Sequence, residues 1–71
     1  MDFWKNCPAV EQESSKLSGA IVFKGTRVPV SALFDNMADG ARLSEFIEWF
    51  QGVSLNQAQT VLRYSAQKLA A

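Results

Sequence analysis

Phe23-Lys24-Gly25-Thr26-Arg27-Val28-Pro29-Val30 is the stretch in which the chain changes from strand to helix. Ala20-Ile21-Val22-Phe23 enters it with the β-branched and aromatic content of a strand. Gly25 beside Thr26 marks a bend. Pro29 has a fixed φ and no N–H to donate, which suits the first turn of a helix. From Val30 the apolar residues Val30, Leu33, Phe34, Met37 and Ala38 recur at helical spacing, one buried stripe. Asp35, Asn36 and Asp39 face away, and Gly40 suits the stop just past a helix, so a helix is predicted over 30–39. Gly25, Thr26, Arg27 and Pro29 thus read as a structural elbow. Thr26 would satisfy local backbone groups. Arg27 has two readings: a guanidinium tied to Glu45, Asp35 or backbone carbonyls, or a phosphate or partner contact shared with Lys24.

Downstream, Leu43, Phe46, Ile47 and Phe50 repeat the helical spacing with Glu45 and Glu48 on the far side, predicting a helix over 43–51. Trp49 lies off that stripe by roughly 60° at 100° per residue. It reads either as a ring lapping the rim of the core or as an interface anchor, Trp being favoured in binding hot spots. Ser54-Leu55-Asn56-Gln57 is a capping box, with Gln57 placed to reach back to Ser54. It opens a third helix over 55–69, with Leu55, Ala58, Leu62, Ser65 and Leu69 expected inward and Val61 and Ala66 flanking. No acid occurs after Glu48. Helices 2 and 3 joined by a turn containing Gly52 have the layout of a helix-turn-helix.

Upstream, Pro8-Ala9-Val10-Glu11 suits a short strand with Pro8 at its start or edge. Residues 13–19 are small and polar and read as a loop. A hairpin between 8–12 and 20–24 follows, within an N-terminal β-hairpin or β-arm covering 1–24. Phe3 and Trp4 belong to hairpin packing or to a sticky arm that a partner covers. The fold class is therefore mostly α: a three-helix bundle with an N-terminal β-hairpin, in one domain over 1–71.

Composition bounds the function. A chain of 71 residues is near the lower limit for an independent core, so a partner subunit is expected from size alone. The aromatic share of 11% argues against a disordered tail. Formal net charge is zero, which counts against tight DNA binding by a monomer. There is no histidine and a single cysteine, Cys7, so neither an ordinary zinc site nor a His-based triad can be assembled, and no cofactor or enzymatic activity is expected. Cys7 reads as a small apolar residue. The absence of any long apolar run and of a disulfide pair leads to the expectation of a soluble, cytoplasmic protein with no membrane partner.

Candidate contacts follow from the third helix. If it is a recognition helix, its outward face offers Asn56, Gln59, Thr60 and Arg63. Asn and Gln can grip adenine, Arg can grip guanine, and Thr can touch phosphate or the thymine methyl. The bland alternative is an ordinary solvated face, since only Arg63 and Lys68 are basic there. Dimerisation would double the phosphate contacts.

The order of these anchors resembles the bacterial family called domain of unknown function 433, small antitoxin-like proteins. The most specific match is Gly25-Thr26-Arg27-Val28-Pro29-Val30, the family hallmark being Gly-Thr-Arg, an aliphatic residue, Pro and Val. Gly19, the Trp4–Glu11 segment with Cys7-Pro8 and Val10-Glu11, Gly40, Glu45, Phe50, Gly52 and Val53-Ser54-Leu55 also match, covering roughly residues 4 to 66. Arg42 replaces a small N-cap, Gln51 a Pro and Ile21 a frequent Pro; the first two are expected to loosen the second helix at its ends. The resemblance implies a homeodomain-like trihelical fold with an N-terminal β element. It also implies an antitoxin of a type II toxin–antitoxin pair, which binds a PIN-like ribonuclease toxin and represses its own operon; a homodimer bound to operator DNA is the expected form. The alternatives are a stand-alone helix-turn-helix regulator and a structural protein-interaction module.

Overall fold

A computed structural model describes residues 3–12 and 19–70; the loop expected over 13–19 lies outside them except for Gly19. The elements run β1 (Val10–Gln12), β2 (Ile21–Phe23), α1 (Val30–Ala38), α2 (Leu43–Trp49) and α3 (Leu55–Ala70). The architecture is the expected one, three helices preceded by a two-stranded antiparallel hairpin. Val10 pairs with Phe23, Glu11 with Val22 and Gln12 with Ile21. The Pro8 end of the expected first strand is a turn instead.

β2 is bonded along both sides, which removes an unpaired edge. The Lys24 N–H goes to Ala9 O at 2.9 Å, while the Phe23 N–H goes the other way, to Val28 O at 3.0 Å. Val22 also bridges to Pro29, so the chain entering α1 folds back along the strand it has just left. Pro29 itself caps α1 with φ −67° and ψ 143°.

Helix ends follow their sequence signals closely. Gly40 has φ +97°, its N–H reaches Met37 O at 3.0 Å, and the Ala41 N–H reaches Asn36 O at 3.0 Å, a Schellman stop. Ser54 Oγ accepts the Gln57 N–H and Gln57 Oε1 accepts the Ser54 N–H, both at 3.0 Å, so the capping box opens α3. α2 opens with half of such a box. A guanidinium has no acceptor, yet the N–H of the N-cap residue Arg42 donates to Glu45 Oε1 at 2.8 Å. The carboxylate therefore satisfies the Arg42 N–H, while the Glu45 N–H, which a small N-cap side chain would accept, reaches Arg42 O at 3.0 Å instead.

The core sits where β2 meets the three helices. Val22, Phe23, Leu33, Phe46, Val53 and Val61 are fully enclosed, with Cys7, Ala9, Val10, Val30 and Ala58 around them. Phe46 lies 6.1 Å from Phe23 and stacks on Phe50 at 4.6 Å.

Two expected stripes are narrower or turned. In α1 only Val30 and Leu33 are buried; Phe34 and Met37 remain 36% and 37% exposed, and Ala38 is exposed. Among the described residues α1 packs mainly against β2 and α2, which cover one side of the stripe. In α3 the buried residues are Ala58, Val61 and Ser65, while Leu55 and Leu69 stand 49% and 78% exposed. The helix is rotated so that Val61, expected as a flank, is central.

Candidate nucleic-acid and partner interfaces

The rotation of α3 decides which residues it offers to solvent. With Ala58, Val61 and Ser65 against the core, Asn56 and Arg63 are exposed and Gln59 and Thr60 half-buried on the other side. Asn56, Thr60 and Arg63 follow one another at four and three residues, so they share a face. No carboxylate occurs on α3 to repel phosphate.

That face borders a cleft of about 380 Å³, lined by Pro8, Ala9 and Lys24 on the hairpin side and by Asn56, Gln57 and Thr60 on the helix side. A strut holds its two walls together. Gln57, already used in the capping box, donates from Nε2 to Lys24 O at 2.9 Å. The sequence signals the capping role of Gln57 and carries no sign of this second bond, which spans 33 residues.

The elbow is tied by Thr26. Its hydroxyl donates to Phe23 O at 2.8 Å and accepts the Val28 N–H at 3.0 Å, while its own N–H reaches Phe23 O at 3.0 Å. Gly25 adopts φ +78°, where a side chain would be strained, and its N–H reaches Glu11 Oε2 at 2.7 Å. Thr26 Cγ2 lies 3.6 Å from where a β-carbon on Gly52 would stand, so the elbow abuts the turn between α2 and α3. Arg27 is exposed at the elbow.

Phe3 and Trp4 dock on α3 through a residue that sequence reasoning passed over, Tyr64. The Trp4 and Tyr64 rings stack with centroids 5.6 Å apart and 20° between planes, and Phe3 meets each of the two edge-on. The Tyr64 hydroxyl donates to Phe3 O at 2.5 Å, and Lys68 Nζ covers the ring at 5.6 Å. A tyrosine at the edge of a polar helix face was the available signal. Phe3 keeps 40% of its surface.

Trp49 is 57% exposed, which is compatible with either of its two readings, a ring at the rim or an interface anchor. A second groove, about 330 Å³ and largely apolar, runs between Trp4, Ile21, Pro29, Val30 and Phe34. Among the described residues no three His, Cys, Asp or Glu side chains are grouped so as to hold a metal ion, and no helix is long and apolar enough to cross a membrane.

Comparison with known proteins returns no curated protein and no solved structure that matches. A family model does match, over residues 10–65, from β1 through most of α3. The match spans well over half of the sequence, and the chain belongs to the family described as Protein of unknown function (DUF433).

Proposed function

We propose that this chain is a non-enzymatic, cytoplasmic binding protein of the antitoxin kind, which neutralises a PIN-like ribonuclease toxin and binds its own operator DNA as a homodimer. The observation that carries the DNA half is the acid-free outward face of α3, with Asn56 and Arg63 exposed and Gln59 and Thr60 half-buried beside them. Net charge of zero makes a monomer a weak DNA ligand. Two copies of the face on a dimer would supply the missing phosphate contacts.

Fluorescence anisotropy on duplex from upstream of its own gene, at low salt, tests this half. Binding by the wild type, with loss in Arg63→Ala and Gln59→Ala, is the expected result; no binding at low salt overturns it. Rescue of growth when the chain is co-expressed with a neighbouring PIN-like reading frame tests the toxin half. Failure of both would leave the second reading, a protein-interaction module, which the 57% exposure of Trp49 favours. Trp49→Gln should leave stability within about 0.5 kcal/mol of wild type and weaken self-association or partner binding; unchanged association would remove Trp49 from any interface.

A further inference from the structure

We propose that the cleft between the open end of the hairpin, at Pro8, Ala9 and Lys24, and the first turns of α3 is a phosphate-binding site, and that its ligand is one backbone phosphate of duplex DNA. The inference rests on the DNA-binding reading and adds to it a contact from outside the helix. Lys24 supplies the cation, and Asn56 and Thr60, four residues apart on α3, supply neutral donors across from it. The lining, Pro8, Ala9, Lys24, Asn56, Gln57 and Thr60, includes no acid. Glu11 takes the Gly25 N–H through Oε2 and is not part of the lining.

Three features make this a built site rather than a lysine on a surface. The Gln57 Nε2–Lys24 O bond fixes the Lys24 backbone against the helix, so the ammonium starts from a defined point. The Lys24 N–H bond to Ala9 O fixes the same residue from the other side. Asn56 and Thr60 belong to the cleft and to the outward face at once, so the cleft is continuous with the surface that would meet base edges. A duplex placed with its bases at Gln59 and Arg63 would carry its sugar-phosphate backbone past Asn56 and Thr60 toward Lys24. Contacts of this type, an ammonium with an amide and a hydroxyl on phosphate, set register and orientation rather than sequence preference. Lys24 would accordingly supply uniform affinity, while Arg63 would supply discrimination.

The experiment uses the full chain and the variant Lys24→Gln, in which the main-chain strut to Gln57 is retained. On the upstream duplex, log K is measured against log salt for both proteins. The expected result is a slope shallower by about 0.9 in the variant, one phosphate contact, with an equal affinity loss on unrelated duplex. In parallel, amide shifts of Lys24, Asn56 and Thr60 are followed during titration with inorganic phosphate; saturable shifts lost in Lys24→Gln are expected. Duplex binding with the same salt slope in both proteins overturns the cleft while the DNA reading stands. Phosphate shifts without duplex binding overturn the duplex as ligand and assign the cleft to a small phosphorylated molecule. Absence of both overturns the cleft and the DNA reading together.

Discussion

Replacing Thr26 with valine removes one oxygen and keeps the shape of the side chain, so it isolates what ties the elbow. Two hydrogen bonds are lost, from Oγ1 to Phe23 O and from the Val28 N–H to Oγ1. The two losses are unequal. Phe23 O keeps the Thr26 N–H at 3.0 Å, whereas the Val28 N–H has no substitute and is partly buried. An orphaned buried donor costs about 1–3 kcal/mol, against about 1 kcal/mol for a bond whose partners stay satisfied. Partial access of water to the loop places the expected loss near 2 kcal/mol. A domain of this size holds about 4–10 kcal/mol at 0.05–0.15 kcal/mol per residue. The corresponding drop in Tm is about 8–16 °C. Thermal melting followed by far-ultraviolet circular dichroism is the assay, with Thr26→Ser as control. Serine keeps both bonds and loses only the half-buried methyl, about 0.8 kcal/mol. A Tm for Thr26→Val no lower than that for Thr26→Ser would refute the hydroxyl as the tie.

Tyr64→Phe should lower the urea midpoint by the equivalent of about 0.5–1 kcal/mol, the exposed bond to Phe3 O. Tyr64→Ala should cost about 2 kcal/mol, because the Trp4 stack and its burial go as well; equal effects of the two variants would mean that the arm is not held by ring packing. Leu33→Ala should cost about 2–5 kcal/mol and Phe34→Ala under about 1 kcal/mol, although both belong to the same apolar stripe. Comparable losses in urea titrations of the two would contradict the burial of only one side of α1.

The local part of the fold was legible because its causes are local. Gly40 ends α1 by backbone conformation, and Ser54 with Gln57 starts α3 by hydrogen bonds within one turn. Burial was read less well, because a helical stripe says which residues share a face and not how much of that face a partner element covers. Phe34 and Met37 have the spacing of core residues and too little protein over them. The orientation of α3 is likewise set by what packs on it: Ala58, Val61 and Ser65 are covered, Tyr64 stacks on Trp4, and Leu55 and Leu69 stand outward. Nothing in the periodicity of residues 55–69 carries that information. For the same reason the cleft escaped notice, since Lys24 and Asn56 become neighbours only through the Gln57 strut.

The docking of the arm on Tyr64 also sets an order of events. Its hydrogen bonds join residues 58 and 61 positions apart, whereas the hairpin and the helix caps close over short distances. A contact that remote gains nothing until the bundle has already brought the two ends of the chain together. It forms last, and because it adds rings at the periphery rather than a core layer, it opens first and without global unfolding. Amide exchange at Asn6 and Cys7, whose N–H groups bond Tyr64 Oη and Trp4 O, should therefore run well ahead of exchange at Phe23 and Val61. A partner that takes the Phe3-Trp4 arm would draw on that fraying equilibrium, releasing the flank of α3 while β2 and the three helices stay folded.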